Sequence, residues 1–261
     1  ESIKADARIT YEVDGGAGGV EVSGFIPENY NLGLLNGGYD FNEKINQLIG
    51  KTEKNESYAL LANAKQGSGI STLARYIGEK GRKNVMEFSM AALRQPPPFS
   101  TPEKYMRSVF NAAANNNSVL VIRDLEYLVG PGGKGQWLGN SLVETFKAAL
   151  SQNKQPFIGV CQDDSAEIHG SVAALFSHNL KLDYLTSEQA AGAYKLFFGQ
   201  DAPEQLKEAG NLVPANFAAV RRILDMTKEN NANGLDDSRV LDLLKRRFVK
   251  TFCYVRLYPD V

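Results

Sequence analysis

The run Ala64-Lys65-Gln66-Gly67-Ser68-Gly69-Ile70-Ser71-Thr72 carries most of the outline of a loop that wraps phosphate in backbone N–H groups. In the pattern G-x-x-x-x-G-K-[ST] the glycines let the main chain close on the anion. A lysine ammonium neutralises the outer phosphate oxygens, and the hydroxyl reaches Mg²⁺. Gly67, Gly69 and Ser71 keep their places here, whereas Ala64 stands at the opening glycine and Ile70 at the lysine. The residues expected to meet a bound phosphate are Gly67, Ser68, Gly69, Ile70, Ser71 and Thr72. Lys65, at a variable position of the loop, is expected to be solvated. Gly-Ser-Gly alone is common in ordinary turns, so the flanking elements decide what it means.

Those elements are of the right kind and in the right order. Residues 58–62 form a short apolar run of buried-strand type that enters the glycine loop directly, and residues 72–79 continue as a helix. Further strands are expected at 85–89, 119–122 and 157–161, with a helix at 41–49 and another at 102–114 opened by Thr101-Pro102-Glu103. Strands alternating with helices predict an α/β fold whose parallel sheet is covered on both faces, with any ligand at the carboxyl ends of the strands. From about Thr186 the pattern turns helical only, at 187–198, 203–209, 214–227 and 236–252, which predicts a small helical domain. The expected division is a hairpin segment over 1–27, built from strands at 7–13 and 20–24, an α/β core over 28–185, the helical domain over 186–252, and a tail over 253–261. The tail alternates like a strand over 253–258 and is expected at a sheet edge or against the hairpin.

Composition excludes several classes. The 261 residues are 43% apolar, enough to fill a core, and 29 Lys+Arg against 30 Asp+Glu leave no bulk charge for gripping nucleic acid or an anionic membrane. Cys161 and Cys253 lie far apart in apolar surroundings, which suggests two buried thiols in a reducing compartment. His169 and His178 are the only imidazoles, no Cys-x-x-Cys accompanies them, and both are expected at the surface or in packing, so no metal site of the N/S kind is expected. No apolar run reaches membrane-spanning length and the start lacks the shape of a secretory signal, so a cytoplasmic location is expected. The chain begins at Glu1 without a methionine, as a piece excised from a longer protein would.

With these motifs in order, residues 28–250 resemble the AAA+ ATPase superfamily, in particular its AAA branch. Residues 58–75 look like the Walker A strand, loop and helix of that family's P-loop NTPase fold. Residues 101–113 look like the helix before the Walker B strand, and Val119-Leu120-Val121-Ile122-Arg123-Asp124 stands in the Walker B place. The all-helical end, with Leu212-Val213-Pro214-Ala215-Asn216-Phe217, looks like the family's lid domain. The resemblance implies a nucleotide site for ATP or ADP, and protein partners in a homo- or hetero-oligomeric ring.

The departures fall on the charged atoms. Arg123 takes the place of the aspartate that orients Mg²⁺, and Asp124 that of the glutamate that polarises water. Two like unit charges at 4 Å repel by about 4 kcal/mol at an effective dielectric near 20, and a divalent ion doubles that, so coordinated Mg²⁺ is disfavoured. A slipped register with Asp124 on the metal and Glu126 as base runs against the alternation of strand faces. No arginine occurs from Asp124 through Val220, which removes the finger that supplies ~10³- to 10⁵-fold in related NTPases. Gln162 stands where a sensor asparagine is usual and could orient a water. Asp124, Glu126 and Gln162 are thus catalytic remnants, and no metal ligand is expected.

Three arrangements of the altered site stay open. Ile70 could plug the phosphate pocket with hydrocarbon. Arg123 could reach under the loop, join the cofactor-binding set and restore the charge lost at Ile70, holding nucleotide without metal. Or Arg123 could pair with Asp124 or Glu126. Elsewhere, Phe99 after Pro96-Pro97-Pro98 is either an aromatic pore loop as in threading members of the family or a plain surface connection. Residues 130–135 are expected to be a glycine-rich flexible loop, and Arg221, Arg222, Lys245, Arg246 and Arg247 solvated faces or subunit contacts. The expected function is an AAA+ ATPase-like pseudoenzyme, a scaffold or regulatory unit for protein–protein interaction. The alternative is a subunit of an ATP-dependent protein-remodelling machine. A clamp-loader-like role in DNA replication gains nothing from the balanced charge.

Overall fold

Short apolar runs with alternating faces set the architecture. In a computed structural model that describes residues 9–11, 39–94, 96, 98–128, 139–162, 170–227 and 236–251, they form one six-stranded sheet. Its strands are β1 (Ile9–Tyr11), β2 (Ala59–Ala64), β3 (Val85–Ser89), β4 (Val119–Arg123), β5 (Phe157–Cys161) and β6 (His178–Leu182), in the order β1-β3-β4-β5-β2-β6. The five strands from β3 to β6 in that order are parallel, and β1 adds antiparallel to β3 at the edge. The α/β class with a parallel sheet is therefore as expected, and the sheet is compatible with a P-loop-like core. Residues 9–11 join the main sheet rather than closing only on a hairpin partner, because β3 would otherwise present an unpaired edge. Residues 20–24 and the tail 253–258 lie outside the described residues.

Period two sends each strand's side chains to two separate cores. Met86, Phe88, Leu120, Ile122 and Phe157 face one side, covered by α3 (Pro102–Asn115) and α4 (Gly139–Gln152). Val85, Val119, Val121, Ile158 and Val160 face the other, covered by α1 (Tyr39–Glu53) and α2 (Ile70–Lys80). Each fully buried Leu, Ile or Phe side chain contributes about 1.5–3 kcal/mol relative to exposure. Helix α3 starts where the sequence signals it: the Thr101 hydroxyl accepts from the Lys104 N–H at 3.3 Å and Pro102 occupies the first turn, where its missing N–H costs nothing.

A third buried cluster is built from residues 185–244. After the four-residue helix α5 (Gly170–Ala173) and β6, helix α6 (Ser187–Phe198) opens on a reciprocal cap in which Thr186 and Gln189 satisfy each other's backbone N–H groups. It packs with α7 (Pro214–Thr227) and α8 (Asp237–Thr251) around Tyr194, Phe217 and Val240. The Tyr194 hydroxyl donates to Asp237 at 2.5 Å, fixing α6 to the start of α8, and burial together with that carboxylate pushes the phenol pKa up. Residues 204–208, expected within an α-helix, form a tight 3₁₀ turn, since Pro203 in extended conformation leaves too few residues before Gly210.

Candidate functional site

The glycine loop and the ends of three parallel strands meet in one cavity of about 380 Å³. Its wall contains Ala64 at the end of β2, Gly67, Gly69, Ile70, Ser71 and Thr72 of the loop and α2, and Arg123 at the end of β4. It also contains Gln162, just after β5. This is the carboxyl edge of the sheet, where open parallel sheets place their ligands. On its far side stand Phe197 of α6 and Pro214, Ala215 and Ala218 of α7, so the helical cluster supplies one wall of the cavity. A volume of this size is in the ordinary range for small-molecule sites.

Local chemistry explains the loop's path. Gly67 and Gly69 have φ of 82° and 95°, a left-handed conformation that glycine adopts without the steric cost a Cβ brings. Gly69 caps α2 with no side chain bonded to the helix start, so the first-turn N–H groups lack a side-chain acceptor and the positive end of the helix dipole faces the loop. The Lys65 N–H is tied to the Leu182 carbonyl at 2.9 Å, and the Ser68 N–H folds back to the Lys65 carbonyl at 3.0 Å. Ser68 is buried, with a hydroxyl that has no hydrogen-bond partner, and it does not line the cavity.

Ile70 both packs on the α1/α2 core and forms part of the cavity wall, so it lines the site without filling it. The hydrocarbon-plug arrangement is corrected on that point. Lys65, expected to be solvated, instead sits over the Tyr184 ring at 5.5 Å, because its stem leaves the loop beside the end of β6.

Arg123 is the decisive residue. Alternation along β4 puts Val119, Val121 and Arg123 on the α2 face of the sheet, which is the face the loop occupies. No ion pair joins it to Asp124 or Glu126, which removes the carboxylate-paired arrangement, and its Nε is buried without a hydrogen-bond partner. The neighbouring acids are engaged elsewhere. Asp124, held at φ 62°, accepts from the Ser89 hydroxyl on one oxygen and from the Gln162 amide at 3.4 Å on the other. Buried Glu126 accepts the Gln162 backbone N–H at 3.3 Å. Gln162 thus joins the cavity to both acids, while neither acid lines it.

Mg²⁺ does not fit this arrangement. A hard cation takes oxygen ligands, usually with at least one carboxylate, whereas among the described residues the wall carries Lys65, Arg75 and Arg123 and no Asp or Glu. No cluster of three or more His, Cys, Asp or Glu that could hold a metal occurs among the described residues either.

None of the other expected residues that are described lines this cavity. Phe99 is fully exposed, with φ 65°. Arg221 pairs with Asp225 at 3.0 Å and donates to the Phe197 carbonyl at 3.4 Å, while Arg222 and Lys245 are exposed. The side chains of Arg246 and Arg247, residues 130–135, His169 and Cys253 lie outside the described residues, and Cys161 is a buried free thiol. His178 is a packing residue edge-on to Tyr58, with Lys51 Nζ at 3.3 Å from its Nε2. Among the described residues no helix is long and apolar enough to cross a membrane.

Sequence reasoning missed Arg75, Phe197 and Ala218 as cavity residues. Arg75 is one helical turn beyond Ser71, so the i, i+4 spacing on α2 could have found it; the α6 and α7 residues required the packing of the helical cluster. The chain matches no protein-family model and no curated protein.

Proposed function

We propose that this chain is a degenerate AAA+-like module that has lost metal-dependent ATP hydrolysis and serves as a scaffold or regulatory unit binding other proteins, with a nucleotide-type site retained in the cavity. The observation that carries this reading is Arg123: a guanidinium ends β4 at the cavity wall where the resemblance calls for a metal-binding carboxylate, and Asp124 is turned to Ser89 and Gln162. In this reading α6–α8 are the lid, and ATP or ADP lies between the loop and Phe197. The loss of lysine, metal ligand and arginine finger removes the electrostatic stabilisation on which phosphoryl transfer depends. The protein-binding role, in a ring of like or unlike subunits, follows from the resemblance.

Phosphate release from Mg-ATP tests it. The reading requires the rate to equal that of buffer. A steady turnover that Ser71→Ala or Asp124→Asn abolishes overturns it.

A further inference from the structure

The geometry points to a site that takes a nucleoside diphosphate in its metal-free form, with Mg²⁺ opposing rather than assisting binding. This rests on the reading of the cavity as a nucleotide-type site and adds the ionic form of its ligand. Three cations, Lys65, Arg75 and Arg123, line the cavity, and no carboxylate does so among the described residues. Arg123 lines the cavity and its buried Nε has no protein acceptor, so through that atom the guanidinium is not committed to a carboxylate.

A guanidinium offers parallel N–H donors matched to two phosphate oxygens, and the uncapped start of α2 beside Gly69 presents backbone N–H groups to the same anion. Three cations face an ionised diphosphate, Arg123 with no carboxylate on its Nε and Lys65 shared with the Tyr184 ring. A metal-bound nucleotide would bring a dication to a wall that already holds only positive charge.

The opposite wall sets the organic part. Phe197, Pro214, Ala215 and Ala218 present hydrocarbon and one aromatic ring, a surface for a flat base rather than for a second ionic group. Bare pyrophosphate satisfies the cations and leaves this wall unused, so the nucleoside form is favoured.

The test is equilibrium titration of the full chain by calorimetry. ADP in EDTA, ADP in saturating Mg²⁺ and pyrophosphate in EDTA are compared on the parent chain and on Arg123→Gln and Arg123→Asp, each first checked for a cooperative thermal transition. ADP should bind about tenfold or more tightly in EDTA than in Mg²⁺, and pyrophosphate more weakly than ADP. Arg123→Gln should weaken ADP by about tenfold. Arg123→Asp, which puts an acid where the metal would sit, should remove the Mg²⁺ penalty. Equal or tighter binding in Mg²⁺, absence of binding in EDTA, or indifference to Arg123→Gln overturns the inference. Should both variants fail to fold, the parent chain's EDTA and Mg²⁺ titrations decide. Pyrophosphate binding as tightly as ADP overturns the nucleoside assignment. Turnover of ATP in a parallel assay is the failure of the functional reading itself, whereas tighter binding in Mg²⁺ without turnover is the failure of this inference alone.

Discussion

The backbone N–H of Ala215 donates to the carbonyl of Gly67 at 3.1 Å, so the first turn of α7 is seated directly on the glycine loop. The contact is close on the side-chain side too. A Cβ added at Gly67 would lie 2.9 Å from the Ala215 Cβ and 3.1 Å from Val213 Cγ2. The turn is fixed from below by Asn216, whose side-chain oxygen accepts the Val213 N–H at 2.8 Å. The helical cluster and the loop therefore share one interface, and the cavity's shape depends on both.

Gly67→Ala should accordingly destabilise the fold more than Gly69→Ala. Both positions lie in the left-handed region, at about 1–2 kcal/mol of strain for a residue with a Cβ. Only Gly67 adds a collision, since nothing lies within 4 Å of a Cβ at Gly69. Differential scanning calorimetry should show the larger fall in thermal midpoint for Gly67→Ala, at about 2–4 °C for each kcal/mol in a domain of this size. Equal midpoints would mean that α7 does not rest on the loop.

Asp124 is held by two donors, and it is expected to act as a structural acceptor. Asp124→Asn keeps a residue that tolerates positive φ but removes the charge that strengthens both bonds and exchanges one acceptor oxygen for a donor, so Ser89 or Gln162 must reverse its role. It should lose about 1–3 kcal/mol in urea unfolding. Ser89→Ala should lose less, and Ser89→Ala combined with Asp124→Asn should lose less than the sum of those two single changes, because the two residues share one bond. Strict additivity would show that the Ser89–Asp124 contact contributes nothing.

His178 gives the fold a weak point in acid. Burial, followed by the charges of Lys51 and Lys44, holds its pKa below the ordinary imidazole value of 6.5. The unfolded chain therefore takes up the proton first, and stability present above pH 6.5 falls as pH drops from there toward the folded value. The limiting slope for one group is about 1.4 kcal/mol per pH unit. His178→Phe, which retains a ring beside Tyr58, should flatten the urea midpoint between pH 7.5 and 5.5 relative to the parent chain (roughly one unit either side of the free imidazole). An unchanged pH slope would place the titrating group elsewhere.

The legibility of the chain follows its physics. The strands at 85–89 and 157–161 and the helices at 187–198 and 214–227 stand where their patterns put them, since each couples one period to a clear stop or cap. Strand β6 was not legible: it is an edge strand reading His-Asn-Leu-Lys-Leu, with only Leu180 and Leu182 buried, too short and too polar to separate from a loop. Helix α4 was hidden because the glycine-rich stretch before it gives no start signal, although Leu142, Phe146 and Leu150 keep helical spacing. At the site, alternation was enough to place Arg123 at the loop, but its lack of a carboxylate partner depends on where Ser89 and Gln162 draw Asp124. Buried Lys83 was likewise invisible. Its ammonium joins three loops by donating to Asn117 at 2.6 Å and Gln155 at 2.8 Å, contacts between residues far apart in the chain.

The most direct measurement of whether Arg123 has displaced the metal is an anomalous difference map from crystals grown with Mn²⁺ and nucleotide. The expected result is no Mn²⁺ peak at the loop, with any phosphate density lying against the Arg123 guanidinium. A Mn²⁺ ion ligated by Ser71 and Asp124 beside a bound triphosphate would contradict the account.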